Sequence, residues 1–164
     1  MSGELITRTT ISAEETQSMG ETLGALLLPG DVLLLTGDLG AGKTQFAKGI
    51  AIALGVKKQI TSPTFNLIFE YPAGEGGPVV LRHFDLYRLD SEEELEDIDY
   101  FGLLEDKVVS VVEWGDKFPE ALPLEYLLIE FEFVDEDTRA LRLDPDRYGN
   151  QEKLQAITEV FYGS

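Results

Sequence analysis

Residues Gly37-Asp38-Leu39-Gly40-Ala41-Gly42-Lys43-Thr44 follow the pattern G-x-x-x-x-G-K-[ST], and this octet constrains the fold more than any other part of the chain. A ring of backbone N–H groups turned toward one point needs a glycine-rich turn, because Cβ atoms there would clash. The run Val32-Leu33-Leu34-Leu35 before the octet reads as a strand buried on both faces, as strands of parallel sheets are. The amphipathic run after it, residues 45–54 closed by Gly55, reads as a helix beginning near Lys43 with its positive dipole end at the loop. Strand, glycine loop and helix together make a phosphate-binding device. The backbone of Gly40, Ala41 and Gly42 forms the cradle, Lys43 reaches the β- and γ-phosphates, and the Thr44 hydroxyl ligates Mg²⁺. The alternative is a glycine turn that caps a helix and leaves its lysine exposed; the flanking strand and helix weigh against it.

The remaining segments fit around that device in one domain. With 164 residues, 43% of them hydrophobic, the chain has material for a single packed core. Ser12 and Glu15 form an S-x-x-E capping box before Met19, Leu23, Leu26 and Leu27 at helical spacing, and Pro29-Gly30-Asp31 is expected to end that helix. Residues 64–71 and 79–86 read as a hairpin about a turn rich in glycine, at positions 74, 76 and 77, with no helix after it and so no second phosphate loop. Ser91 is expected to cap an acidic helix beginning near Glu92, and residues 108–112 form a second fully apolar strand. Residues 126–134 and 140–143 read as an antiparallel pair across Asp135-Glu136-Asp137, and residues 152–161 as a closing helix. The expected fold class is α/β, a single P-loop NTPase domain over residues 1–164 with a mixed, mostly parallel central sheet flanked by helices.

Composition narrows the function. Thirteen Lys and Arg against 31 Asp and Glu give a formal charge of −18, a field that opposes a broad grip on nucleic acid while leaving room for a local basic pocket. The absence of cysteine excludes a disulfide scaffold, thiolate metal sites and a cysteine nucleophile, and suits a cytoplasmic protein. No signal peptide is expected from the opening residues, and no apolar run approaches the roughly 18 residues of a membrane span. Hydrolysis at a phosphate loop needs one group for the metal and another for water. Two acids follow strands: Asp85 after residues 79–84, and Glu113 after residues 108–112. Glu113 has the cleaner pattern, an apolar strand delivering a carboxylate to the edge where open α/β sheets bind ligands. Either acid is also compatible with an ordinary strand-end carboxylate.

Four segments in register carry a resemblance: the glycine octet, Ser62-Pro63-Thr64-Phe65, His83-Phe84-Asp85-Leu86-Tyr87-Arg88-Leu89, and Val112-Glu113-Trp114. Over about residues 12–142 they resemble the TsaE (YjeE) family, the bacterial P-loop ATPase subunit of the machinery that makes N6-threonylcarbamoyladenosine (t6A) on adenosine 37 of tRNAs reading codons that start with A. The resemblance implies ATP and Mg²⁺ as cofactors, and TsaD, which performs the carbamoyl transfer, and TsaB, its inactive paralogue, as partners. It implies that hydrolysis resets that complex between turnovers and that tRNA is met only indirectly. Thr64 resembles a switch residue facing the γ-phosphate, Glu113 a metal-side acid acting directly or through water, and Asp85 an acid beyond the direct ligands or at the attacking water. On the base side the resemblance implies the start of the first helix near Ala13 and the hairpin at Thr138-Arg139, where the family usually has Gly-Arg. Gln45 stands where the family usually has Thr, and keeps a backbone N–H for a phosphate.

Plainer readings stand beside these. His83, the sole histidine, reads from the residues alone as a hydrogen-bonded strand residue, and from the resemblance as a structural or switch residue rather than a metal ligand. Trp114 reads either as core or as packing near the pocket or a partner. The acid-rich residues 90–106 carry Leu95 and Phe101 where a calcium loop needs Gly and Glu, and read as a solvated helix face or, second, as an acidic patch for a basic partner surface. Two other functions stay open. A small-molecule kinase would normally carry an arginine-rich lid, and no arginine cluster follows Gly115. A nucleotide-gated binding module with negligible turnover differs only in the placement of water. ATP rather than GTP rests on the resemblance and on the lack of an Asn-Lys-x-Asp guanine reader.

Overall fold

The computed structural model describes residues 5–37, 42–57, 68–86, 89–113 and 118–162, so Gly40, Ala41, Thr64 and Trp114 lie outside the described residues. Along the chain come β1 (Ile6–Thr10), α1 (Ala13–Gly24), β2 (Val32–Gly37), α2 (Lys43–Ala53), β3 (Ile68–Pro72) and β4 (Val79–Asp85). They are followed by α3 (Glu93–Asp97), α4 (Tyr100–Leu104), β5 (Val109–Glu113), a 3₁₀ turn (Pro119–Ala121), β6 (Leu127–Phe133), β7 (Arg139–Asp144) and α5 (Gln151–Tyr162).

All these strands join one sheet in the order β1-β7-β6-β2-β5-β4-β3. β6, β2, β5 and β4 are mutually parallel, while β7 and β3 run against them and β1 runs against β7. The C-terminal ends of β1, β6, β2, β5 and β4 therefore meet at one edge. This is the mixed, mostly parallel α/β sheet expected. β2 occupies its middle because every residue of Val32-Leu33-Leu34-Leu35 has somewhere apolar to go. Leu33 and Leu35 enter a core shared with α1, α2 and α5, and Val32 and Leu34 a second core shared with α3, α4 and the 3₁₀ turn. Leu33, Leu34 and Leu35 have no exposure, and burying each such side chain contributes roughly 1.5–3 kcal/mol.

Ser12 caps α1 as its pattern predicts, its Oγ accepting from the Glu15 N–H at 3.0 Å. The helix ends at Gly24, earlier than Pro29 would have ended it. The Leu26 and Leu27 N–H groups turn back to the Leu23 and Gly24 carbonyls at 2.9 and 3.2 Å, a tighter winding that still delivers Leu27 to the core. The acidic segment forms two short helices rather than one. Asp99, at φ 53°, adopts a left-handed conformation that cannot continue a right-handed helix. The break lets Leu95 on α3 and Tyr100 and Leu104 on α4 all reach the same core. The N-cap of α3 is Glu92, not Ser91, and it makes no side-chain capping bond. β1 has no counterpart among the sequence expectations: Ile-Thr-Arg-Thr-Thr alternates weakly, and its partner β7 lies at the far end of the chain.

α1 and α2 touch backbone to backbone. A Cβ on Gly20 would collide with the Phe46 carbonyl oxygen, and one on Gly49 with the Gln17 carbonyl oxygen and, at 2.6 Å, the Glu21 nitrogen. A glycine-to-alanine change inside a helix ordinarily gains about 0.5–1 kcal/mol. Gly49→Ala is expected to reverse that sign and lose about 1–3 kcal/mol through overpacking, seen as a lower urea midpoint at unchanged slope.

Candidate functional site

The glycine octet begins where β2 ends. Gly37 has φ 129°, and a Cβ there would run into the Phe131 carbonyl on β6, so only glycine fits. Gly42, at φ 102°, is the N-cap of α2 and offers no side chain to its first turn. The Phe46 N–H donates to the Gly42 carbonyl at 3.0 Å and so begins the helical ladder at the cap. Lys43 opens the helix and is only 8% exposed. Its Nζ donates to the Gly37 carbonyl at 2.6 Å, so a buried ammonium spans the two ends of the loop. That burial overturns the plain alternative of an exposed lysine on a capping turn. Thr44 and Gln45 follow, half-buried in the first turn of α2.

The two acids stand level. In the parallel pairing of β4 with β5, Asp85 is the direct partner of Glu113, and Glu113 is in turn the partner of Leu35 on β2. Glu113 thus sits on the strand next to the glycine octet, and Asp85 one strand further. Asp85 is 7% exposed and the Glu113 side chain 13%. His83, two residues before Asp85 on the same face, brings its Nε2 to 3.5 Å from Glu113 Oε1. Contrary to the plain expectation for this residue, neither ring nitrogen of the buried His83 has a hydrogen-bond partner.

The start of α1 and the β6–β7 hairpin close the other side. Thr10 pairs with Arg139 across β1 and β7, and the buried hydroxyls of Thr10 and Thr16 share a hydrogen bond of 2.6 Å. Thr16 Cγ2 and Arg139 Cγ each lie 3.5 Å from the place a Gly42 Cβ would occupy. Ala13, exposed at the first position of α1, and Thr138, next to Arg139, therefore share the edge that carries the loop. The Thr138 backbone is engaged within its own turn. Its N–H donates to Asp135 Oδ1 at 2.8 Å, and its carbonyl accepts from the Val134 N–H at 3.1 Å and from Arg139 Nη1 at 3.0 Å. The Arg139 guanidinium lies 4.6 Å over the Phe133 ring.

A family model described as "Threonylcarbamoyl adenosine biosynthesis protein TsaE" matches residues 10–141. The chain belongs to the TsaE family. A Bacillus subtilis relative, named tRNA threonylcarbamoyladenosine biosynthesis protein TsaE, is 41% identical over 132 residues, 80% of this chain and 80% of that one. A Mycobacterium bovis protein of the same name is 44% identical over 140 residues, 81% of this chain and 83% of its own. The crystal structure of Bacillus subtilis YdiB superposes with a TM-score of 0.70 at 33% identity, covering 97% of this chain and 95% of that one. Among the described residues of this TsaE-family chain, no helix is long and apolar enough to cross a membrane, and no three acidic or histidine side chains form a metal cage.

What the sequence did not disclose in this TsaE-family site is which strands are neighbours. The approach of His83 to Glu113 depends on β5 lying beside β4, and the only signal for it is the His83-x-Asp85 spacing that puts two polar side chains on one strand face. The contact of Thr16 with the end of the octet had no sequence signal. Asp135 also has a role beyond turn-forming: N–H bonds from Asp137 and Thr138 hold its carboxyl below the ordinary aspartate range. A carboxyl whose pKa falls on folding stabilises the folded turn above its unfolded pKa, and that contribution is lost as pH falls through the lower, folded value. In an NMR titration the Thr138 amide proton is expected to move with a midpoint below that of an ordinary aspartate, and Asp135→Asn is expected to abolish that titration.

Proposed function

We propose that this chain is a Mg²⁺-dependent ATP-hydrolysing subunit needed for threonylcarbamoylation of tRNA adenosine, acting on its TsaB and TsaD partners to reset them rather than modifying tRNA itself. The observation that carries the reading is the register in which the glycine octet, Glu113 and Asp85 occupy consecutive parallel strands at one sheet edge. Membership of the TsaE family supplies the pathway. The formal charge of −18 agrees with a subunit that leaves tRNA to its partners.

Each residue has a defined task in this reading. Lys43, held between the ends of the loop, transfers its ammonium contact from the Gly37 carbonyl to the β- and γ-phosphates, with backbone N–H groups of Gly40 through Gln45 around them. Thr44 and Glu113 offer the hard oxygen donors that Mg²⁺ takes alongside phosphates and water, so a cage of protein ligands is not required. When bound, Mg²⁺ supplies neutralisation of charge on the β- and γ-phosphate oxygens. Asp85, buried beside Glu113, orients the attacking water or the metal's outer waters, and Thr64 faces the γ-phosphate. Ala13 and Thr138 border the base.

Phosphate release from Mg·ATP, measured for the chain alone and after adding TsaB and TsaD, tests the reading. Strong stimulation by the partners is the expected result, and a rate near zero with nucleotide bound and partners present would replace it with the gated binding module. Lys43→Ala and Glu113→Ala are each expected to lower turnover by about 100-fold or more. Only Lys43→Ala is expected also to weaken nucleotide binding by calorimetry. Normal hydrolysis by Glu113→Ala would remove that acid from the chemistry.

A further inference from the structure

His83 is 1% exposed on β4, between Leu81 and Asp85 on the same face, and both of its ring nitrogens are buried without a hydrogen-bond partner. Such atoms are rare in folded proteins and mark places where a polar group is kept for something other than packing. A residue needed only to fill this strand would be apolar, as its buried neighbours Leu81 and Phe84 are. Glu113 Oε1 lies 3.5 Å from Nε2. That gap exceeds an N–H···O bond by a few tenths of an ångström. The terminal torsion of a glutamate is its broadest, so the position of Oε1 is the part of this contact most easily adjusted.

We propose that His83 is a positioning residue for Glu113. Its Nε2–H donates to Oε1 and fixes the rotation of the carboxylate, which orients the acid toward the metal and water side of the site. The ring itself touches neither nucleotide nor phosphate; its action runs through Glu113. The inference rests on the hydrolytic role proposed for that acid, yet the contact can be tested apart from it.

His83 is the only histidine, so the full chain labelled with ¹⁵N-histidine gives a single imidazole spin system. Without nucleotide, the proton is expected on Nε2, and Glu113→Gln is expected to shift the Nε2 resonance more than the Nδ1 resonance. A bare Nε2, or a ring indifferent to Glu113→Gln, overturns the proposal whatever the chain does to ATP. The second measurement compares His83→Met, similar in bulk but without a donor, with His83→Gln, which restores an N–H near the Nε2 position. His83→Met is expected to keep Tm close to the wild-type value, because removal of the unpaired Nδ1 offsets loss of the bond to Glu113, and to keep nucleotide affinity and KM. Its partner-stimulated kcat is expected to fall on the order of 10- to 100-fold, with most of the loss recovered in His83→Gln. Unchanged kcat in His83→Met, or a fall in Tm that accounts for the lost activity in both variants, overturns the positioning role. A wild-type chain without turnover would instead overturn the hydrolytic reading, and the imidazole spectrum would still decide the contact.

Discussion

Strand β2 hydrogen-bonds to a parallel neighbour on each side and sends alternate leucines into two separate cores, so it can neither slide nor turn over without exposing one of them. The level of everything at this edge of the sheet follows from that immobility. β2 stops at Gly37, where the Phe131 carbonyl leaves no room for a side chain. The ladder passes from Leu35 to Glu113 and from Glu113 to Asp85. Main-chain hydrogen bonds, rather than contacts among the acids themselves, therefore bring the two carboxylates level with the loop. A one-residue slip of β5 would turn Glu113 to the opposite face and put Val112 in its place.

The polar groups buried around this edge are otherwise well accommodated. Lys43 has the Gly37 carbonyl, and Thr10 and Thr16 have each other. On the opposite face Arg82 bonds Glu70 at 2.7 Å, Asp106 at 2.6 Å and the Leu103 carbonyl at 3.2 Å, tying the β3–β4 hairpin to the turn before β5. Three anchors on one guanidinium are a geometry that a lysine's point charge would not reproduce. Among the described residues the Ser110 hydroxyl on β5 is also buried without a hydrogen-bond partner, but the unpaired ring of His83 is the one beside Glu113.

Much of the architecture was legible because single residues announced it. Val32-Leu33-Leu34-Leu35 and residues 108–112 are too apolar to lie anywhere but inside a sheet, and the glycine octet marks the end of β2 and the start of α2. Ser12 marks the start of α1, and Asp135 the tip of the β6–β7 hairpin. Other features depend on partners far along the chain. β1 has a strand's place only because β7 presents a free edge to it, and Asp99 divides the acidic helix because Leu95, Tyr100 and Leu104 share one core. Strand order is likewise a tertiary property. The adjacency of β4 and β5, which makes neighbours of Asp85, His83 and Glu113, comes from packing on both faces of the sheet.

The glycine contact between α1 and α2 has a mechanical consequence. Side chains between packed helices act as cushions, since a rotamer change can absorb a small displacement. Here Gly20 lies against the Phe46 carbonyl and Gly49 against that of Gln17, with nothing compressible between them. The two helices form one stiff block, with Ala13 at one of its corners and Thr44 at another. A push of a fraction of an ångström at the exposed start of α1 is delivered to the first turn of α2 with little loss.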